Sequence, residues 1–352
     1  MVVNRYYSKV IIIVAILFFS IFSVTANPND QSEIVQKFGD IPPPNEINRV
    51  LSSGPVADVL LLSVAPNKLV GLSSLSLSPQ QKKFFSPAIQ NLTMTGRLAG
   101  RGTTASYEKI IQLTPNLIVD IGNITPTYVD LAKQVEKQTR IPYLLINGKL
   151  SSSPQQIRQL SHILNNDEQG SALAQYAEKV LKQTKDIGNL TSNNQAIKVY
   201  SARGPDGLET GLRGSIHTEV LDWIGAKNVA EQAGQNIITR VSIEQLMLWQ
   251  PDVIIISDRN FYAKVSKDPL WQRINAVKEG RVYLAPSLPF GWIDGPPSIN
   301  RLMGLSWLSH ILYPQNMSKE QFTANIVEYF KLFYNYQLST DELKQILTPE
   351  PL

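Results

Sequence analysis

The chain has 352 residues, with 33 basic against 29 acidic side chains and no cysteine. A formal charge of +4, with no concentrated basic stripe, does not suggest a nucleic-acid binder. The absence of cysteine excludes disulfides, thiolate metal sites and a cysteine nucleophile. The length is ample for two hydrophobic cores, since single cores stop growing near about 250 to 300 residues.

Arg5 and Lys9 precede an uncharged apolar run from Val10 to Phe22, which ends in Ser23-Val24-Thr25-Ala26. The run is shorter than the roughly 20 residues a membrane span needs. A basic start, a short apolar core and small residues at its end predict a cleavable signal peptide over residues 1–26. No cysteine follows the run, so a lipid anchor is excluded, and the mature chain is expected to be periplasmic with its charge lowered to +2. Residues 27–46, with Pro42-Pro43-Pro44, are read as an extended leader over the surface.

A first lobe is predicted over residues 47–150. Ile47 to Leu51 reads as a strand, and Ser52-Ser53-Gly54-Pro55 then opens a helix with its backbone N–H groups free at the strand end. A short strand at Lys68 to Leu72 follows, then the loop GRLAGRG at 96–102, which places Arg97 and Arg101 in a flexible frame. SYEKIIQLTPNLIVD at 106–120 aligns without a gap on the start of SIEQLMLWQPDVIIISD at 242–258. In each copy a serine caps a helix, an acid (Glu108, Glu244) lies in its positive first turn, and a proline precedes a buried strand. The repetition predicts two similar halves.

Residues 151–190 are read as the bridge between them. A helix from Pro154 to Leu164 leads into a longer one from Glu168 to Gly188, whose Leu173, Tyr176, Ala177, Val180, Leu181 and Ile187 fall on one stripe. Gly188 and Asn189 are expected to stop it.

The second lobe, residues 191–352, opens with a strand at Ile197 to Tyr200 and a long glycine-rich loop crowded with Arg203, Asp206, Glu209, Arg213 and His217. Long loops in compact domains are usually functional or disordered. The strand at Val253 to Ser257 delivers Asp258, Arg259 and Tyr262 to the same sheet end. A last strand, Arg281 to Leu284, exits through PSLPFGWIDGPPSINRL into a helix whose first turn Pro296 and Pro297 are expected to fix, with Asp294 read as its cap. Ligands of open parallel sheets gather beyond the carboxyl ends of the strands, so these loops predict one cleft.

The order of these features, from the signal segment and Ser-Gly-Pro turn through the repeated Ser-x-Glu helix to the late Trp-x-Asp-x-Pro-Pro-Ser, resembles the cluster III substrate-binding proteins of ABC importers. The resemblance covers nearly the whole mature chain. It implies an α/β fold of two Rossmann-like lobes with parallel sheets, joined by a long rigid helix and clasping a ligand between them. It also implies a membrane permease and its ATPase as separate partner chains, docked through one glutamate per lobe, here Glu108 and Glu244.

The cleft loops offer Arg97, Arg101, Arg203, Arg213 and Arg259, with aromatic Tyr128, Tyr262, Phe290 and Trp292. Guanidinium groups hold carboxylate or catecholate oxygens in fixed geometry, and helix N-termini after Gly54 and Gly295 add positive dipole ends. His217 is a candidate ligand-binding imidazole. This mixture suits a ferric siderophore, the expected cargo, with no resident cofactor and no preformed bare-ion site. Haem, cobalamin, an oxyanion such as molybdate and a chelatase-like enzyme are the alternatives. A monomeric, non-enzymatic binder that touches no nucleic acid is expected.

Overall fold

The computed structural model describes residues 34–99, 102, 104–191, 196–235 and 237–348. The predicted signal segment and Arg101 lie outside the described residues.

The first sheet contains β1 (Val35–Phe38), β2 (Val50–Ser52), β3 (Leu117–Gly122) and β4 (Tyr143–Asn147), in the order β1-β4-β3-β2. β2, β3 and β4 are parallel, with Ile118 opposite Tyr143 and Val50 opposite Leu117. β3 and β4 are buried along their whole length, which their near-continuous apolar runs require of a sheet covered on both faces. β1 lies antiparallel on β4, so part of the segment read as a surface leader is an edge strand. It covers backbone groups on β4 that would otherwise be unpaired, and it sends Val35 to one core and Phe38 to another. The strand expected at Lys68 to Leu72 is reduced to two single bridges, Val50 with Leu69 and Leu72 with Met94.

The second lobe contains β5 (Lys198–Ala202), β6 (Glu209–Gly211), β7 (Lys227–Asn228), β8 (Ile238–Arg240), β9 (Val253–Ile256) and β10 (Val282–Leu284). Its main sheet runs β10-β9-β5-β7, all parallel, while β6 and β8 form a separate antiparallel pair. The strand–helix alternation of both lobes makes the fold α/β with two parallel-type sheets.

Between the lobes runs the helix Asp167–Thr191. It passes through Gly188 instead of stopping there. A Cβ on Gly188 would come within 2.8 Å of the Trp223 carbonyl oxygen, and one on Gly225 within 2.8 Å of the Gly188 oxygen. Gly188 is therefore needed for close packing of the bridge against the second lobe, and Trp223 fastens the same contact through its indole N–H, which donates to the Leu181 carbonyl at 3.1 Å.

One buried cluster runs from Val50 and Leu144 of the first lobe through Leu173, Ala177 and Val180 of the bridge to Val220, Val253 and Leu302 beyond it. Smaller clusters lie on the outer face of each sheet. The bridge is thus a core element of both lobes. The helix Lys319–Tyr334 packs across it, with Tyr329 and Phe333 meeting the Tyr176 ring edge-on. Among the described residues, no helix is long and apolar enough to cross a membrane.

Candidate functional site

At the carboxyl end of β2 the chain turns through Ser53 and Gly54 into the helix Pro55–Val64. Proline at its first position and glycine at its N-cap leave no side chain over that end. The turn is held from below by Asp120 on β3. Its carboxylate accepts from the Ser53 hydroxyl at 2.5 Å, the Tyr143 hydroxyl at 3.0 Å and the Ile121 N–H at 2.8 Å. Burial pushes the Asp120 carboxyl above its usual range, against the pull of these bonds, and raises the Tyr143 phenol well above its own. Sequence reading missed this acid because Asp120 looks like the end of a strand, and nothing local announces that the strand runs on to Gly122.

Across the cleft, Arg203 follows β5 and Gly204 (φ +75°) turns the chain after it. The Arg203 Nε donates to Glu209 Oε1 at 3.2 Å, and Nη1 pairs with Asp294. The second oxygen of Asp294 meets His217 Nδ1 at 2.8 Å. The Asp294 side chain is 3% exposed, so this is a buried acid shared by two cationic or hydrogen-bonding partners. It does not cap a helix. The helix that follows begins only at Arg301, because the Asn300 side chain donates to the Gly291 and Pro296 carbonyls and accepts from the Ser298 N–H, holding 296–300 as a loop. Pro296 and Pro297 consequently lie before the helix, and no helix N-terminus follows Gly295 directly.

Beside Arg203 is a cavity of about 330 Å³. Leu75 and Gln81 of the first lobe face Arg203, Ser257, Asp258, Ser287, Phe290 and Asp294 of the second. Gln81 closes one side by donating to the Pro289 carbonyl at 2.6 Å. Asp258 caps the helix Arg259–Val265 by accepting from the Phe261 N–H at 2.8 Å.

Of the residues singled out in sequence, the structure brings Arg203, His217, Asp294 and Phe290 together here. Arg213 instead lies on the surface and reaches Glu231 at 3.5 Å. Tyr262 packs against the outer core of the second lobe, and Arg259 occupies the first turn of the helix that Asp258 caps. Arg97 sits in a loop whose backbone folds on Thr104 and Ala105. Trp292 does not line open space: it is fully buried, donates to the Leu288 carbonyl at 2.8 Å and packs on Phe322. Its place two residues before polar Asp294 concealed that Trp292 packs in the core while Asp294 meets Arg203 and His217. Glu108 and Glu244 are both exposed, in the first turns of helices Tyr107–Gln112 and Ile243–Trp249 that Ser106 and Ser242 cap.

The chemistry available in the cavity is asymmetric. Of its carboxylates, Asp294 is engaged through both oxygens, by Arg203 and His217, and Asp258 through one, by a backbone N–H. Three of its donors are not engaged: among the described residues none accepts from Arg203 Nη2, and none bonds the hydroxyls of Ser257 and Ser287, although Arg203 Nε and Nη1 and the Gln81 amide have partners. No group of three His, Asp or Glu able to hold a metal ion occurs among the described residues.

Residues 50–288 match a family whose description is Periplasmic binding protein. A solved ABC transporter solute binding protein from Sulfurospirillum deleyianum superposes with a TM-score of 0.79 at 27% identity, over 88% of this chain and 98% of that one. The molybdate-binding protein MolA of Haemophilus influenzae is 25% identical over 325 residues, 85% of this chain and 89% of MolA. Its structure with molybdate bound superposes with a TM-score of 0.70 at 23% identity, over 85% of this chain and 96% of that one. The Fe(3+)-citrate-binding protein YfmC of Bacillus subtilis is 23% identical over 225 residues, 61% of this chain and 67% of YfmC.

Proposed function

We propose that this chain, which belongs to the periplasmic binding protein family, is the extracytoplasmic receptor of an ABC importer and holds a compact oxyanion of the molybdate class between its lobes. The observation that carries the choice of ligand is the imbalance in the cavity. Arg203 Nη2 and the two serine hydroxyls remain as donors, while Asp294 is occupied at both oxygens and Asp258 at one. Donors fixed in place before the ligand arrives suit a small anion whose oxygens all accept. The volume of about 330 Å³ agrees with a small ligand, since ligand pockets span about 300 to 1,000 Å³. The similarity to MolA supports the same class.

Asp294 gives the arginine its orientation. By accepting one edge of the guanidinium it fixes the plane, and Glu209 fixes the other edge, so Nη2 is the group left for the ligand. A second reading, a ferric chelate of a small hydroxy acid, is favoured by the similarity to YfmC.

The test is calorimetric titration of the mature chain with molybdate, tungstate, sulfate and ferric citrate, alongside thermal unfolding. Molybdate or tungstate is expected to bind saturably and raise Tm. Arg203→Ala is expected to weaken that binding at least about tenfold, as loss of a charge-assisted pair does. Binding of ferric citrate with no response to either oxyanion would move the assignment to the second reading.

Docking on the permease is assigned to Glu108 and Glu244, one exposed acid at the same place of the repeat in each lobe. Glu108→Ala with Glu244→Ala is expected to abolish uptake while leaving the dissociation constant of the isolated receptor unchanged. Uptake at the wild-type rate would remove the docking role.

A further inference from the structure

Behind the cleft, a single charged side chain of the second lobe is buried against both lobes. Arg301 is 2% exposed and makes four kinds of contact. Its Nη2 donates to the Gly148 carbonyl at 2.8 Å, just past β4 of the first lobe. Its Nη1 donates to the Ile216 carbonyl at 2.9 Å and pairs with Glu219 at 2.6 Å, and its Nε donates to the Ser298 carbonyl at 3.0 Å. Glu219 uses the same oxygen to accept from the Leu150 N–H of the first lobe at 3.0 Å. Three residues before Arg301, the Ser298 hydroxyl donates to the Val56 carbonyl at 2.8 Å, in the first turn of the helix that opens at Gly54.

The short segment 298–301 therefore touches the first lobe at two places, the helix start after β2 and the loop after β4. It is also joined to the ligand side of the second lobe. Ile216 is next to His217, which bonds Asp294, which pairs with Arg203. A path of polar contacts, with the peptide link between His217 and Ile216 as its one covalent step, thus runs from the cavity to the first lobe without passing through the bridging helix. A buried guanidinium with its carbonyl and carboxylate partners in fixed directions cannot slide gradually, since every partner lost leaves a buried charge uncompensated.

We propose that Arg301, with Glu219 as its counter-charge and Ser298 as its second anchor, is a positioning residue that sets the spacing of the two lobes and through it the affinity of the cleft. The affinity part rests on the reading that the ligand lies between the lobes; the spacing part does not. Arg301→Lys keeps the charge and loses the forked geometry, so it releases at least one of the Gly148, Ile216 and Ser298 carbonyls. Ser298→Ala removes only the Val56 bond.

The chain has no cysteine, so Lys133→Cys and Lys264→Cys, at exposed helical positions one in each lobe, give two unique spin-label sites. Pulsed electron–electron resonance on the ligand-free protein then reads the distance between lobes. The expected result is a narrow distribution in the parent, a broadened one in Arg301→Lys and a smaller broadening in Ser298→Ala. Titration with molybdate is expected to give a dissociation constant raised about tenfold in Arg301→Lys, within the range of couplings carried between sites. Unchanged distance distributions in folded Arg301→Lys and Ser298→Ala would overturn the proposal. Should Arg301→Lys not fold, Ser298→Ala decides alone. If molybdate fails to bind the parent, the ligand reading falls while the distances still decide this one.

Discussion

The two lobes repeat one unit, a serine-capped helix leading into a buried parallel strand, yet they finish it differently. Aligning Ser106 with Ser242 places Asp120 of β3 opposite Ile256 of β9, and both are buried, at 2% and 0% exposure. In the second lobe that position is filled by hydrocarbon. In the first it is a carboxylate saturated by Ser53, Tyr143 and the Ile121 N–H. The difference follows from what each strand end must hold. The first lobe fixes a bare helix start with no capping side chain, so an acid beneath it holds Ser53 in place. The second lobe places its acid outside the sheet, as Asp294, where it pairs with Arg203 at the edge of the cavity. One strand end has its polar groups closed on themselves; the other has donors left over.

Removing the acid is the strongest way to break this comparison. Asp120→Ala would leave two hydroxyls and a backbone N–H without their partner in surroundings closed to water. Each such group costs about 1–3 kcal/mol, so a loss of about 3 kcal/mol or more is expected from urea unfolding. Ile256→Ala, at the aligned position, is expected to cost about 2–5 kcal/mol by a different route, the loss of packing and the cavity left behind. A loss below about 1 kcal/mol for Asp120→Ala would mean that water or a rearranged Tyr143 replaces the carboxylate, and the closed strand end would not exist as described.

The repeat itself was legible in the sequence because it is written in local signals: Ser106 and Ser242 as caps, Pro115 and Pro251 as breakers, and apolar runs after each. The stripe on the bridging helix was legible for the same reason. What escaped was decided by contacts between distant segments. Gly188 reads as a stop signal and is a packing contact with Trp223 and Gly225. Trp292 reads as a cleft aromatic and fills the core against Phe322. Asp294 reads as a cap because a proline pair follows it, but Asn300 keeps that segment out of the helix. In the candidate site, Arg203 and His217 were singled out as types of residue on one loop. Their bond to Asp294, 77 positions away from His217, was not foreseen. Arg301 gave no signal at all, since a basic residue inside an apolar helical pattern usually belongs to a solvated face.

A smaller effect sharpens the same comparison through pH. Burial holds the folded Asp120 carboxyl above its ordinary value of 3.8, although three hydrogen bonds pull it down. The native state therefore binds this proton more tightly than the unfolded chain does. The resulting contribution is fully present below the unfolded value and is lost as pH rises through the higher native one. Asp120→Asn, which cannot ionise, lacks that dependence. The stability of the wild type relative to Asp120→Asn is thus expected to fall from about pH 3 to neutral pH. Asp58, also raised by burial, is present in both proteins, so its contribution cancels from the difference. Ile256→Val supplies the control at the aligned place, because its small packing loss of about 0.5–1.5 kcal/mol involves no proton and should stay constant over the same range. A wild-type advantage over Asp120→Asn that grew with pH would reverse the sign. The hydrogen bonds from Ser53, Tyr143 and Ile121 would then outweigh burial, and Asp120 would be an anion stabilised in place, much closer in character to Asp294 across the cleft than to a saturated buried acid.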